Sequence, residues 1–193
     1  MGVAWLKPAP ILGHFRIAMN PASPVPGYLL KFFLFSAVSF FIGTVHGMLQ
    51  VMPPVRAWLD SIGSPYGGPG HMIDPLAHAH MNLVGGLVLL AMGVTYYFLP
   101  ILSGRPLYST KMVNYTFWCV IVGAYLFYLT QIVFGIWEGM LFNADPQAIA
   151  AVHRFYGPTT AIASTIMGFG FWIYMANVAL SVKKTSAMPG NRS

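Results

Sequence analysis

Four stretches of this chain stay apolar for longer than the roughly 18 residues at which a hydrophobic run reads as a membrane span, and that pattern constrains the fold more than any other feature. The first runs from about residue 28 to 51, after Pro24 and Pro26 and before Pro53-Pro54. The second covers about 76–102 and follows Asp74-Pro75; the third covers about 115–142. The fourth ends near Val182, just before Lys183-Lys184. From Ala148 to Val182 a single helix would measure roughly 52 Å at 1.5 Å per residue, against a hydrocarbon core of about 30 Å. Pro158 is therefore expected to mark a kink or the membrane entry point, with 148–156 as an interfacial turn of helix.

The predicted fold is all-α: an integral membrane four-helix bundle over residues 28–182, with a cytoplasmic or interfacial arm (1–27) and a cytoplasmic tail (183–193). Only 7% of the 193 residues are charged, against about 25% in a soluble domain, too few to cover a water-facing surface. Orientation follows from where the basic residues fall. With both termini inside, Lys7, Arg16, Lys31, Arg105, Lys111, Lys183, Lys184 and Arg192 are cytoplasmic, and only Arg56 and Arg154 lie outside, as the positive-inside rule requires. All four acids, Asp60, Asp74, Glu138 and Asp145, fall on or near the outer side. The formal charge of +6 thus reports topology; no basic patch interleaved with aromatics points to nucleic acid. Pro8, Pro10, His14 and Arg16 break up any signal-peptide core. Cys119 stands alone, which excludes an internal disulfide, an all-cysteine metal site and covalent haem attachment through C-x-x-C-H. Serine, cysteine or paired-carboxylate catalysis has no support.

The histidines carry the functional signal. His14 lies in the arm and His71 in a glycine-rich outer loop, but His46, His78, His80 and His153 come from three spans and are expected at similar depth, toward the outer leaflet. A polar imidazole in hydrocarbon needs a partner, so an intramembrane histidine is a candidate functional group. Histidines facing inward from separate helices of a bundle can bind a b-type haem through two neutral imidazoles. Gly47 and Gly43 beside His46, and Gly85-Gly86 after His80, would let the flat ring approach the backbone. Arg56 and Arg154 could pair with outward-directed propionates. His78 and His80 are about 200° apart on a helix, so only one of them faces the bundle centre. Two alternatives stand beside haem: a histidine-bound copper site on His46, His80 and His153, and a non-redox structural subunit whose histidines only form hydrogen bonds.

The second span also carries His78-Ala79-His80-Met81-Asn82, then Gly85-Gly86, then Met92-Gly93-Val94-Thr95-Tyr96-Tyr97-Phe98-Leu99-Pro100. This resembles the second helix of the catalytic subunit of haem–copper oxidases, in particular the cbb-type oxidases and the related nitric oxide reductases. The His46-Gly47 pair and the Gly-x-x-Glu-Gly ending of the third span (Gly135 to Gly139) look like short four-helix proteins of that kind. The resemblance implies that His80 is a ligand of a low-spin haem b and Asn82 its companion. The family's second ligand comes from a late helix with no counterpart among these four spans, so His46, or else His153, is expected to take its place. His46 is preferred because it is more securely inside the membrane.

What the resemblance implies for function is an electron-transfer subunit of a respiratory or related redox complex, not an enzyme catalytic alone. It implies a bacterial or archaeal inner membrane, with lipid, other subunits and a quinone or c-type cytochrome as partners. A haem toward the outer face leaves roughly 20 Å of membrane below it, so exchange with a quinol or a partner subunit is expected to lead to an outward-facing redox protein rather than across the bilayer.

Overall fold

The computed structural model describes residues 25–183; residues 1–24 of the N-terminal arm, with Lys7, His14 and Arg16, and residues 184–193, with Lys184 and Arg192, lie outside the described residues. Four helices are long and apolar enough to cross a membrane. We number the elements α1 (Gly27–Gln50), α2 (Pro53–Ser61), α3 (Gly68–Ser103), α4 (Thr110–Phe142), α5 (Pro146–His153) and α6 (Tyr156–Lys183). Each boundary has a local cause. Pro53 and Pro54 occupy the first turn of α2, where a missing N–H costs nothing, so the pair that ends α1 also begins a short surface helix. The side chains of Ser109 and Asp145 cap α4 and α5, accepting from the amides of Met112 and Ala148, each at 3.3 Å, as N-cap residues do. Gly104, at φ 65°, turns the chain out of α3.

Three spans differ from their sequence-based limits; the third starts at Thr110 rather than at about 115. The second starts earlier, at Gly68, and is interrupted at Asp74 (φ −130°, ψ 110°), the residue before Pro75. Proline disfavours the helical region for its predecessor, so Asp74 is the kink from which the membrane-embedded part of α3 continues. A wide π-helical segment follows at Met81–Val88. The fourth span is two helices, α5 and α6, separated by Arg154 and Phe155. The break falls just before Pro158, which sits in the first turn of α6, and α5 is the short outer segment expected at 148–156.

The helices do not share their burial equally. α1 lies along α3, the outer part of α3 packs on α4, and the largest contact is between α4 and α6. Half of the most apolar window of α4 is buried but only 17% of that of the fourth span, so α4 is the central helix and α6 leans on it from one side. The larger core cluster joins Leu29 and Phe32 of α1, Leu89, Met92 and Tyr96 of α3, and Val113, Phe117 and Val120 of α4, in the half of the bundle that holds the α3–α4 loop. Lys31 donates to Asn114 across the same interface and lies over the Phe117 ring. At that end α6 is tied to the α3–α4 loop. Asn177, fully buried, accepts from the Ser109 amide at 3.1 Å and donates to its carbonyl at 3.0 Å, and the Ser181 hydroxyl accepts from the Tyr108 amide at 2.9 Å.

Without a hydrophobic gain from pressing one apolar helix on another in lipid, close van der Waals approach has to hold α6 on α4. Gly123 and Gly170 allow it: a Cβ at Gly123 would lie 2.6 Å from the Met167 amide nitrogen, and one at Gly170 2.8 Å from that of Val120. Gly123→Ala is therefore expected to force the helices apart and cost about 1–3 kcal/mol, the usual penalty of overpacking. Thermal unfolding in detergent should show a lowered midpoint, whereas Gly168→Ala, where nothing stands within 4 Å, should leave it unchanged.

Candidate functional site

The α1–α3 contact is built on Gly43-x-x-x-Gly47, two glycines one turn apart on α1. The groove they leave is filled by polar side chains of α3. A Cβ at Gly43 would fall 2.3 Å from the Asn82 side-chain oxygen, and one at Gly47 2.7 Å from Cε1 of His78. Asn82 is held in turn by donating to the His78 carbonyl at 3.1 Å, which sets the same amide nitrogen 3.4 Å from His78 Nδ1. His46 completes the junction: its ring centroid is 5.6 Å from that of His78 and 5.8 Å from that of Tyr128 on α4, both edge-on. The Tyr128 hydroxyl lies 3.4 Å from His46 Nδ1. Beside it, Phe41, Ile42, Val45, Leu49 and Ile132 wall a cleft of about 310 Å³ that ends on His46 and Tyr128. The glycines read as room for a flat cofactor are thus closed by this chain's own side chains. Gly85 meets Ser39 and Gly86 meets Phe40 in the same way.

His80 is turned away from this junction. It lies against α4, its ring 4.3 Å from that of Phe127 between centroids. Its Nδ1 is 2.9 Å from the Leu76 carbonyl. A carbonyl can only accept, so Nδ1 carries the proton and the neutral ring keeps a lone pair on Nε2. Metal-binding histidines are commonly held in this way, one nitrogen fixed by a backbone carbonyl and the other left for the ligand bond. Nε2 has no hydrogen-bond partner among the described residues. His78 is set in the opposite sense: Asn82 donates toward its Nδ1, which places the proton on Nε2.

The remaining candidates lie farther out. His153 Nδ1 bonds both carboxylate oxygens of Glu138, at 3.0 and 3.1 Å; Glu138 is 3% exposed while the His153 side chain is largely exposed. Tyr156 donates to the carboxamide oxygen of buried Gln131 at 3.0 Å, leaving Gln131 Nε2 without a partner among the described residues. Arg56 is fully engaged: it bonds Asp60 at 2.5 Å, Asp74 at 2.5 Å and Ser64 at 2.9 Å. The bonds to Asp60, then to Asp74, raise its already high pKa further. Arg154 is exposed and stacks 4.7 Å from the Phe155 ring. His71 bonds the Pro65 carbonyl.

The structure therefore sorts the four membrane histidines into three places. His46 and His78 meet each other; His80 faces the other side of α3; His153 is separate. Phe127 and Glu138 mark the levels of His80 and His153 on α4, and eleven residues of helix put these roughly 16 Å apart along its axis. Two nitrogens on one metal ion sit about 4 Å apart. The structure thus does not present His80 opposite His46 or His153 across one iron, and the common depth expected for the four holds for His46, His78 and His80 only. Nor do His46, His80 and His153 converge as a copper site: among the described residues no group of three or more His, Cys, Asp or Glu side chains is placed to hold a metal ion. The sequence pattern gave no role to Tyr128, Gln131 and Phe127, and placed Glu138 only at the Gly135–Gly139 ending of the third span and near the outer side. Gln131 at least was detectable, as an uncharged polar residue in the middle of an apolar run.

The family model for cytochrome c and quinol oxidase polypeptide I matches residues 18–179. The chain is 27% identical over 173 residues to cytochrome c oxidase subunit 1 of Rhodobacter capsulatus, covering 73% of this chain and 32% of that protein. It is 27% identical over 115 residues to a bacteroid cytochrome c oxidase subunit 1 homolog of Bradyrhizobium diazoefficiens, 51% of this chain and 21% of that one. With the cbb3-type cytochrome c oxidase subunit CcoN1 of Stutzerimonas stutzeri it shares 24% over 118 residues, 60% and 23% of the two chains. It spans about a third or less of the length of these curated relatives.

The groove at Gly43 makes a coupled prediction. Gly43→Ala should destabilise the bundle by about 1–3 kcal/mol through collision with Asn82, and Asn82→Ala should cost about 1 kcal/mol from its lost hydrogen bonds. The double variant should be less destabilised than the two losses added, since removing the amide makes room for the methyl. Strict additivity in thermal unfolding would mean that the two side chains do not meet.

Proposed function

The chain belongs to the cytochrome c and quinol oxidase polypeptide I family, and from that premise we propose that it is a b-type haem-carrying membrane subunit of a respiratory redox complex, with His80 as an axial ligand. It is an integral protein of the bacterial plasma membrane. In the proposed role it exchanges electrons between a quinol or a neighbouring subunit and a redox protein, such as a c-type cytochrome, on the outer side.

One observation carries the reading: His80 Nδ1 donates to the Leu76 carbonyl, which leaves Nε2 unprotonated and without a hydrogen-bond partner among the described residues. Bound there, a haem would supply reversible one-electron exchange at a potential set by its ligands and its burial. The protein's own residues supply the rest. Leu76 fixes the tautomer, and the Phe127 ring beside the imidazole limits its rotation. Leu83 and Leu87, exposed on the turns that follow, offer an apolar wall that excludes water. Arg154, without a carboxylate partner among the described residues, is the outer cation left to meet an acidic substituent; Arg56 is already neutralised by Asp60 and Asp74. His78 and Asn82 register α3 against α1 and take no part in ligation.

The test is a reduced-minus-oxidised spectrum with a pyridine haemochrome assay on the detergent-purified full chain. The wild type should give a b-type signal, His80→Ala should lose it, and His78→Ala should keep most of it. A wild type that binds no haem, or a signal indifferent to His80→Ala, would remove the reading.

A further inference from the structure

Among the described residues three buried side-chain atoms have no hydrogen-bond partner: Oε1 of Gln50, Nε2 of Gln131 and the hydroxyl oxygen of Thr160. The last two belong to one contact, that of α4 with α6. Interiors rarely leave such groups unpaired, and hydrocarbon offers them nothing. The register of the two helices brings this pair together. Gly123 of α4 meets Met167 of α6, and eleven residues farther along each helix, in opposite senses, Phe134 meets Tyr156. Thr160 then lies opposite Thr130, at the level of Gln131. It belongs to the face of α6 that packs on α4, with Tyr156 one turn before it and buried Ala163 one turn after. Its hydroxyl is also set unlike those of other membrane threonines. Thr44, Thr95, Thr130 and Thr159 each donate to the carbonyl four residues back, at 2.6 to 2.9 Å. Thr160 does not, so its proton is kept from its own helix. Tyr156 already donates to Gln131 Oε1 at 3.0 Å, which fixes the carboxamide and leaves its NH2 end to be satisfied.

We infer that a water molecule is bound between Gln131 and Thr160 as a fixed part of the α4–α6 contact. The two groups share a level yet do not bond each other, and one water spans such a gap. The ligand must be uncharged, since neither helix carries a charged residue within a turn of Gln131 or Thr160. It must also be small enough for a packed helix pair and able to accept from an amide and a hydroxyl at once. Water meets all three demands. It accepts from Gln131 Nε2 and from the Thr160 hydroxyl, and gives its own protons to the second lone pairs of helix carbonyls alongside. Buried waters with about three such bonds are ordinary parts of protein interiors. Bound here, the water continues toward the middle of α4 the polar line begun by Glu138 with His153 and by Gln131 with Tyr156.

The experiment is proton-detected nuclear magnetic resonance on the full chain in lipid nanodiscs, with nitrogen-15 in the side chains of its three glutamines, Gln50, Gln131 and Gln147. Gln50→Met and Gln147→Ala assign the Gln131 signal by elimination. Its NH2 protons should show a dipolar cross-peak at the water frequency while exchanging slowly with solvent deuterium, the mark of a trapped water. Thr160→Val, which removes the hydroxyl and keeps the shape, should abolish that cross-peak. Thr160→Ser should retain it, as should Thr159→Val, whose hydroxyl is committed to the Phe155 carbonyl. A wild-type Gln131 amide without a water cross-peak would overturn the inference, and this reading needs no variant to fold. A cross-peak from the amide to the Thr160 hydroxyl would overturn it too, by showing a direct bond. So would a water cross-peak that Thr160→Val leaves at full strength.

Discussion

Inside a bilayer two apolar helices gain little hydrophobic free energy by touching, because lipid tails would cover them as well, and α1 and α3 are registered instead by polar side chains set into a glycine groove. Asn82 over Gly43 and His78 over Gly47 fix the rotation of α3 about its own axis. Everything at the candidate site depends on that rotation. With His78 turned toward α1, the helical period turns His80 away from it, toward Phe127 of α4. The two histidines of the His-x-His pair thus do different work: one is a structural peg whose proton lies on Nε2, the other a ligand-ready base whose proton lies on Nδ1.

The spans and their number could be read from hydropathy, since that property depends on length and composition and hardly on neighbours. Boundaries were harder. The short helix α2 was hidden behind Pro53-Pro54, which reads equally as the end of one helix and the start of another. The early start of α3 at Gly68 was obscured by Asp74-Pro75, a pair that kinks the span rather than beginning it. The pairing of histidines was not legible at all. Spacing along one helix gives the angle between His78 and His80, but which of them faces inward is decided by α1, through glycines whose role only the assembled groove reveals. The same glycines beside His46 suggested room for a cofactor, because a gap for a macrocycle and a gap for a neighbouring side chain leave the same trace in sequence.

The polar groups buried along α4 form a second organising line. Thr116 bonds Tyr96 at 3.0 Å near the start of α4, Tyr128 meets His46 farther along, Gln131 accepts from Tyr156, and Glu138 holds His153 near its end. Each neighbouring span is thereby hydrogen-bonded or closely apposed to the central helix at a different level. An apolar seam could slide by a turn at little cost, whereas each of these contacts has one partner and one depth. This explains how a bundle with so much lipid-facing surface keeps a definite arrangement.

The tie between α4 and the fourth span bears on how the chain enters the membrane. Gln131 and Glu138 belong to the third span, but Tyr156 and His153, which satisfy them, are made later. A third span released alone into lipid would carry a carboxyl and a carboxamide with no partner, at a cost of several kcal/mol for the two. Released as a hairpin with the fourth span, it carries the carboxyl and the carboxamide oxygen already bonded. At the other end, the amides of Tyr108 and Ser109 can be served by interfacial water until Asn177 and Ser181 arrive. The sequence of synthesis and the placement of these partners thus favour the last two spans leaving the insertion machinery together, with the fourth acting as the chaperone of the third.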